Sequence, residues 1–197
     1  DKKWFRLARE LEIVETVSTR LQKAVTINEI IETSLEELAL LLDMNAASLV
    51  LKENDRFSSE TVLVQKHFFN QKSVWNSVFF SDLTAQASSI IHIPKPEKSD
   101  YEILSAFNID ERLIYSSSIV AVPIVQEPSI LGYFILLIKP SSEFGTPQKR
   151  FITIIAEMTA ISLARVVAIQ KLESSVQRRE KELECIYNVT YSASARL

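Results

Sequence analysis

The side chains from which metal, redox or nucleophilic chemistry is usually built are sparse in this chain. His67 and His92 are the only histidines and Cys185 is the only cysteine, and neither an HExxH pattern nor a paired Cys/His spacing joins them. A zinc site or a catalytic dyad therefore lacks its ligands. The serine clusters at Ser116 to Ser118 and Ser141 to Ser142 stand in strand-and-turn text without the glycines of a nucleophile elbow. The carboxylates of "SLEEL" and "RREKELE" fall on helix faces where solvated charge is the default. Gly132 and Gly145 are the only glycines. A dinucleotide fingerprint or a phosphate-cradling loop needs several residues without a side chain, so both are excluded. The expectation is a fragment that is not itself an enzyme.

Bulk properties narrow the class further. The 197 residues are 47% apolar and 24% charged, enough for one well-filled core with appendages. A net charge of -3 with scattered lysines and arginines gives no footprint for nucleic acid. One cysteine in a charged helical stretch provides no disulfide framework, which fits a reducing, cytoplasmic setting. No apolar run approaches the roughly 18 residues of a spanning helix. The text begins and ends inside helix-like sequence without a methionine and reads as an excised fragment, so the parent protein stays open to membrane anchoring.

These residues must be held by elements that the periodicity outlines. From Trp4 to about Gln22, Trp4, Leu7, Leu11, Val14 and Leu21 step by three and four residues, with Ser18 in the slot between, as on a coiled-coil seam or a tightly amphipathic helix. Thr26 with Glu29 forms a capping box, and Ile27, Ile30, Ile31, Leu35, Leu38 and Leu42 share one face of a second helix running to about Asp43. "AASLVLKEND" and "TVLVQKHFF" then read as two antiparallel strands around a polar turn. Between Asn70 and Asn108 the pattern loosens, with a short helix at Val74 to Phe79, an extended "SIIHIP" and a helical stretch around Tyr101 to Phe107. "YSSSIVAVPIV" and "SILGYFILLIK" are apolar strands joined by "QEPS", with Pro123 expected near a strand end where no partner faces it. Thr146 caps a last helix with Pro147 at its first position, and no breaker follows through Thr190.

That last helix is apolar on several faces up to about Val167 and then narrows to a seam. Ile169, Leu172, Val176, Arg179, Leu183, Ile186 and Thr190 alternate steps of three and four. A helix so thinly apolar is marginal alone in water and implies a partner helix, most simply the same helix of a second chain in parallel. The tail also repeats the start of the chain: at one constant offset Glu10, Leu11, Glu12 and Val17 fall on Glu182, Leu183, Glu184 and Val189. Either a second copy of the opening helix begins there, or two heptads share Glu and Leu at matching slots.

In this order the text resembles a GAF domain, the small-molecule sensing module of phosphodiesterases, phytochromes, sensor histidine kinases and diguanylate cyclases. The resemblance is carried by the closing block "SSSIVAVPIVQEPSILGYFILLIKPSSEFGTPQKRFITIIAEMTAISLA", with its valine-proline strand, leucine-glycine strand and phenylalanine before the final helix. The opening "LEIVETVSTRLQKAVTINEIIETSLEELALLLDMNAASLVLKEND" supplies two helices and a first strand. It implies an α/β fold in the α+β sense: an antiparallel central sheet with the N- and C-terminal helices packed on one face, the last extended into a coiled-coil tail. Residues 1–22 would be an N-terminal signalling helix, 23–168 the GAF sensor domain, and 169–197 a coiled-coil linker to a following module.

The resemblance also implies a ligand between the sheet and the irregular middle segment. By position, Trp75, Phe79, His92, Tyr101, Phe107, Tyr115 and Ser117 would line it, although ordinary core packing also explains the aromatics. The Asn-Lys and Phe-x-x-x-Asp-Glu residues of cyclic-nucleotide binders are missing, since "FNIDE" has one residue too few. Cys185 lies far from the site of bilin attachment, and an axial haem role for His67 or His92 is outweighed by the ordinary reading of a lone histidine, so the cofactor stays unknown. The function implied is a non-catalytic sensory module of a two-component or cyclic-dinucleotide signalling protein. It would pass a conformational signal through a homodimer built by Leu7, Leu11, Val14, Ile169, Leu172, Val176, Leu183 and Ile186 to a kinase or cyclase in cis. The alternative is a ligand-free dimerising spacer in a tandem array.

Overall fold

A computed structural model describes residues 2–53, 56–75, 89–96, 112, 116–142 and 144–194. Three helices, α1 (Lys2–Lys23), α2 (Ile27–Leu41) and α3 (Thr146–Ser194), accompany six strands. The strands are β1 (Met44–Glu53), β2 (Arg56–Val64), β3 (His67–Trp75), β4 (Ile91–Ile93), β5 (Ser118–Gln126) and β6 (Ser129–Ile138). They form one antiparallel sheet in the order β3-β2-β1-β6-β5-β4. This is the expected α+β arrangement, an antiparallel sheet with terminal helices on one face.

Side-chain alternation along the strands divides the sheet into two faces. On the first, Ala47, Leu49, Leu63, Val120, Val122, Phe134 and Leu136 meet Ile30, Ile31, Leu35 and Leu38 of α2 and Ile152, Ile155, Ala156 and Leu163 of α3. The capping box holds α2 at its start: the Thr26 hydroxyl accepts from the Glu29 N–H at 3.2 Å, and the Glu29 carboxylate accepts from the N–H groups of Val25 and Thr26. Between α2 and α3 the buried hydroxyls of Ser34 and Thr159 meet at 2.8 Å. Gly132 is required where β6 crosses β1, because a Cβ there would sit 2.2 Å from the Val50 carbonyl oxygen.

Helix α1 belongs to this core. Val17 and Leu21 are buried and Ile13 packs beside them, so Leu21 anchors α1 to the domain, as the amphipathic reading of this helix allows. The guanidinium of Arg165 on α3 caps the end of α1, donating to the carbonyls of Gln22 at 2.5 Å, Ala24 at 2.7 Å and Leu21 at 3.1 Å. Arg20 pairs with Glu36 and Glu37 of α2. From Val167 to Asn188 α3 is exposed on every side, so the buried residues of α1 pack on α2 and on the earlier part of α3.

Three local expectations are corrected. "TVLVQKHFF" is not one strand: Gln65 and Lys66, at φ 47° and 69°, form a two-residue turn between β2 and β3. No glycine or asparagine marks that turn, which is why the apolar pattern runs across it unnoticed. Val74 and Trp75 end β3 rather than start a helix; residues 76–79 and the stretch from Tyr101 to Phe107 lie outside the described residues. Pro123 sits well inside β5, opposite Tyr133 of β6, not near the strand end. It is tolerated because β4 pairs only with Ile119 to Ala121, leaving the other side of Pro123 beyond that ladder.

The view that no stretch is apolar enough to span a membrane also needs revision. An 18-residue window of α3 passes by length and composition. Ile152, Ile155, Ala156, Ala160, Leu163 and Val166 within that helix face the core, which gives its apolarity a packing role.

Candidate functional site

The second face of the sheet gathers the polar and aromatic groups that a small-molecule site would use. Phe57 and Trp75 stand opposite each other on β2 and β3, and Ser59 opposite Ser73 one pleat further on. Tyr133, Ile135 and Leu137 of β6, Val50 of β1 and Ile119 and Ala121 of β5 continue the same surface. Ser48, between Val62 and Ile135 in the register, places a hydroxyl at its centre.

The hydroxyl groups here have defined roles. The Trp75 indole N–H donates to Ser59 Oγ at 2.8 Å, which fixes the ring on the sheet. Ser48 Oγ donates to the Thr61 carbonyl at 3.1 Å. The Tyr133 ring lies 6.0 Å from that of Phe57 in a tilted arrangement, and burial pushes its phenol above the ordinary pKa of 10.0. A neutral hydroxyl in an apolar surround can orient a ligand by hydrogen bonding without carrying charge.

The residues expected to line a ligand do not form one constellation. Trp75 is buried on this second face. His92 is opposite Val120, a residue of the helix-covered face, and its ring meets Phe144 at 4.9 Å, edge to face. β4 and β3 are the two edges of the sheet, so Trp75 and His92 are on opposite faces and about 24 Å apart across five strand spacings. A two-residue register explains the misplacement: Ile91 and Ile93, not His92, point to the second face. Burial, then the nearby Lys149 charge, lowers the His92 pKa from 6.5. Ser117 is buried and accepts from Asn45 Nδ2 at 2.8 Å. Phe79, Tyr101, Phe107 and Tyr115 lie outside the described residues.

Sequence reading missed Phe57, Ser48, Ser59 and Tyr133. The available signal was alternation: each falls two residues from another member of the face, as Phe57 from Ser59 and Tyr133 from Ile135. Among the described residues no group of three His, Cys, Asp or Glu side chains could hold a metal. His67 is exposed on β3, the edge opposite His92.

Of the expected dimer residues, Leu7 and Leu11 lie on α1, with side chains outside those described, and Val14 is half-buried. On α3, Ile169, Leu172, Val176, Leu183 and Ile186 are between 47% and 67% exposed. At 100° per residue these five cluster on one stripe opposite the Ile152–Leu163 core face, and Ile161, 68% exposed, lies on the same stripe within the domain.

No family model matches the sequence, and no curated protein does. Solved structures do match. The fold is similar to the GAF domain of a phosphoenolpyruvate-protein phosphotransferase from Acinetobacter, with 13% identity and a TM-score of 0.59 over 82% of this chain and 96% of that one. It is similar to the GAF domain of a two-component sensor histidine kinase from Bacillus halodurans, at 17% identity and TM-score 0.59 over 75% of this chain and 99% of that one. The photosensory core module of a Stigmatella aurantiaca phytochrome superposes at 10% identity and TM-score 0.65, covering 88% of this chain and 40% of that one. The chain has the fold of a GAF domain.

Proposed function

We propose that this GAF-fold chain is a sensory module of a signalling protein, in which a small molecule on the second face of the sheet biases the arrangement of α3 in a parallel homodimer. The observation that carries the reading is the joint that Arg165 of α3 makes with the end of α1. With α1 clamped by Arg165 and α3 continuing roughly 40 Å beyond Val167, a displacement inside the domain has a stiff path outward. The exposed stripe from Ile161 through Leu172 and Val176 to Leu183 is what a second copy would cover. The similar phosphotransferase and histidine kinase domains support a regulatory role, with the output kinase or cyclase in cis.

A ligand can shift such a pair of arrangements only by its difference in affinity for them, on the order of 1–3 kcal/mol in allosteric systems. Native mass spectrometry of the purified chain tests both parts at once, with a dimer mass and a retained small molecule expected. Sedimentation as a strict monomer at high concentration refutes the dimeric relay. The second reading, a spacer that has lost its ligand, is favoured by one observation: Val50, Val62, Ile135 and Leu137 are all fully buried on the face a ligand would use. A ligand-dependent rise in melting temperature would reject it.

A further inference from the structure

Two adjacent charges in the tail of α3 find no partner of opposite sign among the described residues of their own chain. Arg179 stands on the exposed stripe, in step with Leu172, Val176 and Leu183. The residues one helical turn from it are Ser175, Val176, Glu182 and Leu183. Of these only Glu182 is acidic, and its carboxylate already accepts from Arg178 Nε at 3.2 Å. Glu180 has Val176, Gln177, Leu183 and Glu184 a turn away, none of them a cation. Arg179 and Glu180 cannot serve each other, because consecutive residues on a helix point about 100° apart. A cation in the middle of an apolar stripe is costly to cover unless the covering surface brings a carboxylate to it.

We propose that Arg179 of each copy pairs with Glu180 of a second copy of this chain, and that these two ion pairs fix the register in which the tails meet. The pairing rests on the parallel dimer proposed above and adds to it the residues that select the partner. In the seam of alternating steps, Ile169, Val176 and Leu183 take the a positions, Leu172, Arg179 and Ile186 the d positions, and Glu173, Glu180 and Tyr187 the e positions. In a parallel, in-register pair a d side chain enters a hole of four residues on the facing helix, and the facing e residue is on its rim. Each guanidinium can therefore swing outward, away from its twin, to the facing carboxylate while its stem stays on the apolar seam. Cation and anion both come from this sequence, so a second copy is complementary to the stripe in charge as well as in apolar period. A slip of one heptad would set one Arg179 beside Glu173 and the other beside Tyr187, keeping one ion pair and losing the other. A single polar position in an apolar seam sets register in this way at a cost in stability.

Sedimentation equilibrium of the 197-residue chain and its charge reversals, at about 0.15 M salt where long-range repulsion is screened, tests the pairing. Arg179→Glu and Glu180→Arg should each weaken the dimer at least about tenfold, because like charges then meet on the seam. The double reversal should recover most of that loss. Lys181→Glu, on the side of α3 opposite the stripe, should leave the dimer unchanged. Register is read separately: in a Cys185→Ser background, Leu172→Cys at a d position should form an interchain disulfide in air, since a parallel, in-register pair sets the two copies of that position face to face. Circular dichroism melting confirms that each variant keeps the domain folded. A wild-type chain that stays monomeric at high concentration refutes the dimer reading and the ion pairs together. A wild-type dimer that is indifferent to both single reversals, or is not restored by the double one, overturns the ion pairs and leaves the dimer standing. A dimer that Leu172→Cys fails to cross-link overturns the register.

Discussion

Arg165→Ala isolates the joint through which the proposed signal would pass between the two terminal helices. The wild-type guanidinium donates to three carbonyls at the end of α1: those of Leu21 and Ala24 in part-buried surroundings and that of Gln22 at the surface. Hydrogen bonds from a charged donor contribute about 1.5–3 kcal/mol each when shielded from water and far less when solvent competes. Counting the two part-buried bonds at about 1.3 kcal/mol and the exposed one at about 0.5 gives a loss of roughly 3 kcal/mol. For a domain of this size each kcal/mol moves the melting temperature by about 2–4 °C, so a drop of about 6–12 °C is expected. Arg165→Lys, whose single ammonium cannot reach three carbonyls at once, should recover less than half of it. Thermal melting followed by circular dichroism gives the magnitude, and amide hydrogen exchange gives the place: protection should fall in the last turns of α1 and persist in β1, β5 and β6. A drop under about 2 °C, or equal stability of the Lys and Arg forms, would refute the view that this cap ties α1 to α3.

Other substitutions probe separate parts of the fold. Gly132→Ala must displace the Val50 carbonyl from 2.2 Å in the middle of the sheet, and should cost about 3 kcal/mol or leave no folded protein, as read by chemical denaturation. Leu35→Ala, at a fully buried position between α2 and the sheet, should cost about 2–5 kcal/mol in the same assay. If the proposed dimer forms through the exposed stripe, Leu183→Glu should leave the melting of the domain unchanged and shift sedimentation from dimer toward monomer; an unchanged dimer would place the interface elsewhere. The lowered pKa of His92 means that the unfolded chain binds its proton more readily. Stability should therefore fall as pH drops from about 6.5 through the lower folded value, and His92→Gln should flatten that part of the profile in urea melts from pH 7.5 to 5.

Much of the architecture is written in short-range sequence. Thr26 and Glu29 announce α2 because a capping box closes within one turn. Pro147 behind Thr146 marks the start of α3 because only a first-turn position tolerates its missing N–H. The narrowing of α3 to Leu172, Val176, Leu183 and Ile186 is visible as a period, since a helix places residues three and four apart on one stripe whatever surrounds it. The strands at Met44–Glu53, Ser118–Gln126 and Ser129–Ile138 are equally plain as apolar runs between turns. Each of these depends on spacings of a few residues.

Tertiary structure alone decided what faces what. His92 and Trp75 look like companions in a loosely patterned middle segment, yet strand order puts them at opposite edges and register turns them to opposite faces. Leu21 reads equally as part of a coiled-coil seam or of an amphipathic face, and only the packing of α1 on α2 and α3 makes it core. Gln65 and Lys66 take positive φ without any glycine to signal it, because the pairing of β2 with β3 over-determines the turn. Arg165 finds its three carbonyls on a helix more than a hundred residues earlier in the chain, a meeting that no local spacing encodes. Helix period and capping are properties of neighbouring residues, whereas faces, clefts and long-range caps follow from the order in which the strands assemble.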